Sequence, residues 1–167
     1  MSKETENIFI ESWIEEEGWN TSDFSTVETP SYVMSLPKLE RNLKILDQVQ
    51  KNTGCKILMA LKGFSMFYTF PLIKKYLSGA EASSVNEARL GRKEFGKEVH
   101  VFSPSYTEKN IKEYLKYANH LVFNSFSQWN KFKKVCHEYL INSNKPVFRI
   151  IKNWLPELFG QPIYAFS

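Results

Sequence analysis

The stretch KILMALK, residues 56–62, decides how this chain folds. It is a nearly continuous apolar run, as expected of a strand buried on both faces of a parallel sheet. Similar short runs follow it, and segments with apolar residues at helical spacing lie between them. This alternation predicts an α/β fold of parallel strands joined by right-handed crossovers, in either an open doubly wound sheet or a barrel. A closed eight-unit barrel takes about 250 residues, so the chain would form only part of one.

Local signals place the remaining elements. Pro37 suits the first turn of a helix, and Gly54 suits its end. Ser84 forms a capping box with Glu87, and Thr107 caps the next helix. The predicted strands are residues 31–34, 56–62, 81–84, 99–102, 121–124 and 146–151, and the predicted helices are residues 37–53, 71–77, 84–95, 107–118 and 125–140.

Composition excludes several classes of protein. The 167 residues are 43% hydrophobic and 24% charged, which is too apolar for disorder. The net charge is +4 and the basic residues are scattered, so we expect no nucleic-acid partner. No apolar run reaches the about 18 residues that span a bilayer, so we expect no membrane partner and a cytoplasmic location. Cys55 and Cys136 do not have the spacing of a CxxC or cysteine–histidine motif. We therefore expect no disulfide and no metal site.

Lys62 ends the first strand and has the same parity as Ala60. Because alternate strand residues face opposite sides, Ile57, Met59 and Leu61 would pack against the helices. In a barrel, Ala60 and Lys62 would then point inward at the carboxyl end of the strand, where active sites of such folds lie. Loss of hydration there favours the neutral amine, which attacks aldehydes. From the strand alone, a lysine that reaches into solvent is the commoner explanation.

Several motifs in register give the chain a resemblance to a known family. Residues 29–33 (TPSYV) and 56–64 (KILMALKGF) resemble the opening of fold-type III pyridoxal-phosphate enzymes, where a strand-end Ala-Leu-Lys supplies the lysine that binds the cofactor. From about residue 29 to 135, the sequence is similar to the carboxynorspermidine (carboxyspermidine) decarboxylases. The stretches that narrow the match are residues 70–73 (FPLI), 82–84 (ASS) with 87–91 (EARLG), 98–101 (EVHV) with 103–104 (SP), and 123–125 (FNS) with 127–129 (SQW).

The resemblance implies a fold and a function. The fold would be a partial (β/α)8 barrel of about five βα units. The reaction would be the decarboxylation of carboxynorspermidine or carboxyspermidine in norspermidine and spermidine biosynthesis, with pyridoxal 5'-phosphate (PLP) as cofactor. Lys62 would be the catalytic, cofactor-binding lysine, and the small Ala60 would leave room beside it.

The resemblance also implies further cofactor-binding residues. Ser83 and Ser84 lie at the end of the predicted strand 81–84, at the mouth of the barrel. Arg149 matches an arginine of the family's fifth strand. For Ser84, the capping box is preferred over a role in cofactor binding. For Arg149, a position at a solvent-facing strand end explains the residue as well as cofactor binding does. His100 and His120 each begin a predicted strand at the end away from the expected site, so they are assigned no catalytic role.

After Ile150 the sequence departs from the family pattern. The resemblance implies a homodimer with a C-terminal β-domain, which we expect this chain to lack. We therefore predict a lead-in at residues 1–28, a partial PLP-binding barrel at 29–151 and a divergent tail at 152–167, together a truncated fragment that is inactive alone. The alternatives are a non-catalytic PLP-binding or regulatory fragment, or another fold-type III enzyme such as diaminopimelate or ornithine decarboxylase.

Overall fold

The structure is a computed structural model that describes residue 24, residues 26–142 and residues 149–152. The chain divides into two compact units, residues 1–35 and residues 36–167. The second unit contains all the described strands and the long helices. Most of the predicted lead-in and tail lies outside the described residues, so the predicted domain boundaries stay predictions.

The described part of the first unit is an extended segment with one turn. The peptide bond between Thr29 and Pro30 is cis, and the Ser31 hydroxyl donates a hydrogen bond to the Glu28 carbonyl oxygen. The predicted strand at residues 31–34 is wrong, because these residues join no sheet in the part of the chain that the structure describes. Three of its four residues are exposed, so no apolar face exists to hold a strand against a core.

The second unit is built on a five-stranded sheet in which every neighbouring pair of strands is parallel. The strands lie side by side in the order in which they occur in the chain. The order does not reverse, as it would at the switch point of a doubly wound sheet. The strands are β1 (Leu58–Ala60), β2 (Gly79–Ala82), β3 (Glu98–Phe102), β4 (His120–Phe123) and β5 (Arg149–Lys152).

Helices alternate with the strands, as the apolar periodicity predicts. No described helix combines the length and apolar character needed to cross a membrane. In the described part of the chain, four helical crossovers connect the five strands. The helices are α1 (Leu36–Thr53), α2 (Phe70–Ile73, after a 3-10 turn at Phe67–Thr69), α3 (Val85–Leu90, continued by a π turn at Gly91–Phe95), α4 (Glu108–Tyr117) and α5 (Phe126–Asn142).

One face of the sheet is buried beneath these helices. Met59 and Leu61 are buried, which confirms the predicted parity of the first strand, and Ala60 between them is exposed. A Cβ added at Gly91 would lie 3.3 Å from both Leu61 Cδ1 and Val99 Cγ2, so the glycine lets α3 approach the sheet closely. The buried hydrophobic strand residues are Met59, Ala80, Ala82, Val99, Val101, Leu121 and Phe123.

The predicted helix caps are confirmed, except that the Ser84 capping box forms only in part: the Glu87 carboxylate accepts from the Ser83 amide rather than from the Ser84 amide. The Ser84 hydroxyl accepts a hydrogen bond from the Glu87 amide at 3.2 Å and donates one to the Glu87 carboxylate at 2.9 Å. Thr107 makes a reciprocal capping box with Asn110. Gly54, with φ of +72°, ends α1 in the left-handed conformation that glycine favours.

All five strands differ from their predicted bounds, β3 and β4 by one residue at one or both ends. The predicted strand 81–84 lies instead at Gly79–Ala82, because residues 83 and 84 form a bend and Ser84 caps α3. The predicted strand 56–62 shortens to Leu58–Ala60, since a turn begins at Leu61. The fifth strand ends at Lys152 rather than Ile151, and predicted residues 146–148 lie outside the described part.

Candidate functional site

The carboxyl ends of the parallel strands meet at one edge of the sheet, which we call the carboxyl edge. Lys62 lies in the turn that follows β1, at this edge, and its side chain is exposed. The turn is held by the Leu61 amide, which donates to the Glu81 carbonyl oxygen at 3.0 Å, and by the Gly63 amide, which donates to the Ala60 carbonyl oxygen at 3.0 Å. Lys62 and Ala60 are both exposed, and the described residues do not bury the Lys62 amine, so its predicted role stays a prediction.

Ser83 and Ser84 follow β2 at the same edge. The Ser83 hydroxyl donates to the Glu81 carboxylate at 3.0 Å, and its amide donates to the Glu87 carboxylate at 2.8 Å. The Tyr114 hydroxyl donates to the Ser83 carbonyl oxygen at 3.2 Å. Both serines are therefore held by the protein itself, and their predicted contacts with a cofactor stay predictions.

The carboxyl ends of β3 and β4 are fastened to each other by a buried tyrosine. The Tyr106 hydroxyl donates to the Val122 carbonyl oxygen at 2.8 Å and accepts from the Ser103 amide at 3.2 Å. Burial raises the pKa of Tyr106 well above its usual range, so the phenol stays protonated as a donor. The Asn124 side chain adds a hydrogen bond to the Pro104 carbonyl oxygen at 2.6 Å. This part of the edge is fixed by internal hydrogen bonds.

A row of residues crosses the face of the sheet that lies opposite the buried apolar strand residues. Ala60 pairs in register with Glu81, Glu81 with His100, His100 with His120, and His120 with Arg149. The register therefore places predicted residues Ala60 and Arg149 at opposite ends of one row. His100 lies in the middle of β3 rather than at its start, which corrects the sequence-based placement, whereas His120 does begin β4.

A second polar group lies at the opposite, amino edge of the sheet. The amino-edge cluster comprises Lys56, Glu98, His100 and His120. The Glu98 carboxylate lies 3.0 Å from Lys56 Nζ, 3.3 Å from His100 Nε2 and 3.8 Å from His120 Nε2. The two imidazole rings stack with centroids 3.9 Å apart and 26° between their planes.

The electrostatics of the amino-edge cluster follow from these contacts. The Lys56 ammonium, which donates to both carboxylate oxygens, lowers the pKa of Glu98. Burial lowers the pKa of His100, although hydrogen bonding to Glu98 opposes this effect. Sequence reasoning missed the cluster because its members lie on three separate segments. The available signal was Glu98 and His100 at alternate positions of one apolar strand, with His120 at the start of the next.

Known decarboxylases are similar to this chain in sequence. No family model matches the chain. A carboxyaminopropylagmatine decarboxylase of Synechocystis is 39% identical over 110 residues, which cover 66% of this chain and 28% of that protein. A carboxynorspermidine/carboxyspermidine decarboxylase of Herminiimonas arsenicoxydans is 37% identical over 106 residues, which cover 64% of this chain and 29% of that protein.

The chain is similar to the carboxynorspermidine/carboxyspermidine decarboxylases. A crystal structure of carboxynorspermidine decarboxylase from Campylobacter jejuni, complexed with norspermidine, superposes with a TM-score of 0.64 at 34% identity, covering 67% of this chain and 30% of that one. D-threonine aldolase from Filomicrobium marinum superposes with a TM-score of 0.65 at 12% identity, covering 83% and 37%, which shows a shared fold alone.

These matches confirm the resemblance predicted from the sequence motifs. The chain spans less than a third of the length of the relatives that it matches, since coverage of those proteins is 28% and 29%. The similarity therefore concerns one portion of the decarboxylase.

Proposed function

We propose that this chain supplies part of the barrel of a PLP-dependent decarboxylase that acts on a carboxylated polyamine, with Lys62 as the cofactor-binding lysine. The position of Lys62 at the carboxyl edge of a sequentially ordered parallel sheet carries the proposal. The similarity to decarboxylases at 37% and 39% identity supports the reaction type. Strands in chain order with helices over one face favour a partial barrel over a doubly wound sheet.

The residues at the carboxyl edge fit the aldehyde end of the cofactor. The Lys62 amine is accessible, Ala60 adds only a Cβ beside it, and Gly63 adds no side chain at all. When bound, the PLP ring accepts the electron pair that remains after the carboxylate leaves as carbon dioxide. The remaining strands of the barrel would cover the face of the sheet that carries Ala60. They would exclude water from around Lys62, which favours the neutral, nucleophilic form of its amine.

The other cofactor contacts stay proposals of unequal strength. Ser83 is the better candidate than Ser84, because the Ser84 hydroxyl both accepts from and donates to Glu87. The Ser83 hydroxyl donates to Glu81 and keeps acceptor capacity for a ligand. Arg149 pairs in register with His120, and it stays a proposed cofactor-binding residue on the strength of the sequence resemblance.

The substrate would be carboxynorspermidine or carboxyspermidine, after the relatives' names. Carboxyaminopropylagmatine is a second candidate, favoured by the 39% identity to the Synechocystis enzyme. All three names describe carboxylated derivatives of polyamines or agmatine. A homodimer in the cytoplasm completes the proposal for the whole protein.

Covalent trapping tests the cofactor lysine. Incubate the 167-residue chain with PLP, reduce with borohydride and map the pyridoxyl group by peptide mass spectrometry. We expect the label on Lys62, and its loss from that peptide in Lys62→Ala. Lys56→Ala is the matched control, since Lys56 flanks the same strand at its other end and is also exposed. Labelling of both lysines to the same extent would mean that PLP reacts here without a site.

A chimaera tests the reaction and the substrate. Replace the matching segment of the Campylobacter jejuni decarboxylase with residues 29–135 of this chain and measure carbon dioxide release. We expect turnover of a carboxylated polyamine, with ornithine and diaminopimelate rejected, and loss of turnover in Lys62→Ala but not in Lys74→Ala, an exposed lysine on the helical side. Preference for ornithine or diaminopimelate would reject the substrate, and activity that survives Lys62→Ala would reject the lysine.

A further inference from the structure

Three potential metal ligands meet in the first half of β3 and at the start of β4. Their ligand atoms, a Glu98 carboxylate oxygen and one ring nitrogen each from His100 and His120, all lie within 4.8 Å of one another. We propose that Glu98, His100 and His120 form a binding site for a divalent transition-metal ion such as Zn²⁺ or Co²⁺. The proposed site goes beyond the proposed decarboxylase function and does not depend on it.

The spacing of the ligand atoms suits such an ion. Ligands about 2.0–2.2 Å from a tetrahedral Zn²⁺ lie about 3.3–3.5 Å from each other. Glu98 Oε2 lies 3.3 Å from His100 Nε2 and 3.8 Å from His120 Nε2, so both pairs need to move by no more than about half an ångström. The stacked rings must turn for their lone pairs to converge, and the broad χ2 torsion of histidine makes that rotation inexpensive.

The surroundings hold the three ligands in place. Glu98 and His100 lie two residues apart on β3 and therefore share one face, and His100 pairs in register with His120 on β4. Gly79 pairs with Glu98, and its missing Cβ lets β2 lie close beside the start of β3. The His100 and His120 side chains are only 19% and 11% exposed, so the surrounding protein shields both rings from most of the solvent. Bound metal would link β3 to β4.

The ligand set selects the class of ion. Two imidazoles with one carboxylate suit Zn²⁺, Co²⁺ or Ni²⁺, whereas Mg²⁺ and Ca²⁺ prefer oxygen ligands alone. Three protein ligands leave a fourth position for water, as in zinc sites of the two-histidine, one-carboxylate type. Lys56 is the competitor, because its ammonium already neutralises the Glu98 carboxylate from 3.0 Å. A divalent ion must displace this ammonium, which is 61% exposed and free to swing into water.

Cobalt titration tests the site. Strip the 167-residue chain with EDTA, add Co²⁺ in a non-chelating buffer, and follow visible d–d absorption together with equilibrium dialysis. We expect a single Co²⁺ per chain, displaced by Zn²⁺ and unaffected by Mg²⁺. His100→Ala and His120→Ala should each weaken binding by about 100-fold or more, since even residues that only orient metal ligands contribute about 10- to 100-fold. Glu98→Gln should weaken it similarly.

Matched variants make the result specific. Lys56→Gln should tighten Co²⁺ binding by about tenfold, because it removes a positive charge a few ångströms from the ion. His137→Ala, an exposed histidine on α5, and Cys55→Ser, an exposed thiol, should leave binding unchanged. If His120→Ala does not fold, His100→Gln at the more exposed position decides the matter. Absence of saturable Co²⁺ binding, binding that survives both histidine changes, or binding lost in the His137 or Cys55 variant would each overturn the proposal.

Discussion

The two edges of the sheet use polar residues in opposite ways. At the carboxyl edge, Lys62 and Ala60 are exposed, and no described side chain encloses the amine. At the amino edge, Glu98 contacts Lys56 and His100 directly, and the carboxylate is satisfied within the chain. A reactive amine must stay accessible to its ligand, whereas charges that only stabilise a fold are best paired. The difference favours chemistry at the carboxyl edge and a structural or metal-linked role at the amino edge.

The largest expected difference in stability is between two variants that each gain a methyl group, one at each edge of the sheet. A Cβ at Gly79 would lie 2.4 Å from the Glu98 carbonyl oxygen, so Gly79→Ala must push β2 away from β3. We expect a loss of about 3 kcal/mol or more in the free energy of unfolding, measured by urea denaturation. At Gly63 the nearest atom would lie 3.6 Å away, an ordinary contact. Gly63→Ala should therefore change stability by less than about 0.5 kcal/mol.

Equal losses in the two glycine variants would show that the amino edge is no more tightly packed than the carboxyl edge. A loss at Gly63 alone would reverse the comparison. The two substitutions add the same volume, one at the amino edge and one at the carboxyl edge, so their difference reports the contact with the Glu98 carbonyl. Circular dichroism checks that each variant keeps its secondary structure before denaturation.

A smaller effect distinguishes the two serines at the carboxyl edge. Ser84→Ala removes the cap of α3, and we expect a loss of about 1 kcal/mol in the free energy of unfolding. Ser83→Ala removes one hydrogen bond to the partly exposed Glu81, and we expect a smaller loss, below about 1 kcal/mol. Thermal or urea denaturation measures both. A larger loss from Ser83→Ala would mean that the serine is structural rather than available to a ligand.

Substitution of either lysine that flanks β1 should change the free energy of unfolding only slightly. Lys56→Gln breaks the ion pair with Glu98, in which the lysine is 61% exposed, so the expected loss is at most about 1 kcal/mol. Lys62→Gln should be close to neutral, within about 0.5 kcal/mol, because the side chain is exposed. High salt should reduce the Lys56 effect, since exposed pairs are screened. A Lys56 loss unchanged by salt would show that this pair is shielded from solvent.

The last contrast is between an exposed thiol and a buried one, and its effect on stability is small below about pH 9. Cys55 is exposed, while Cys136 on α5 is buried, and burial raises the pKa of Cys136 to about 12. A maleimide or disulfide reagent at pH 8 should label Cys55 rapidly and Cys136 only after unfolding. Because the unfolded thiol ionises near pH 9 and the folded one does not, Cys136 should reduce stability as pH rises from about 9 to 12.

Cys136→Ala tests the alkaline part of this prediction, because it removes the ionisable group and should flatten the fall in stability above about pH 9. Cys55→Ala is the control and should leave that slope unchanged. Rapid labelling of Cys136 in the folded chain would show that α5 opens readily from the sheet.

Sequence patterns predicted the features that depend on neighbouring residues. The apolar run at residues 56–62 gave a parallel strand with Met59 and Leu61 buried. The Ser84 and Thr107 caps formed as expected, since such caps need only residues three positions apart. The strand at residues 31–34 failed because its β-branched and aromatic residues found no partner strand.

The sequence by itself determined the alternation of strands and helices, the caps and the likeness to the decarboxylases, because each depends on local spacing. Tertiary structure alone decided that Glu98, His100 and His120 meet, since register between strands sets distances across separate segments. It also decided that β2 ends before Ser83, where the backbone amide is taken by Glu87 rather than by the neighbouring strand. Strand pairing and capping compete for the same amide, and only the folded chain shows which one forms.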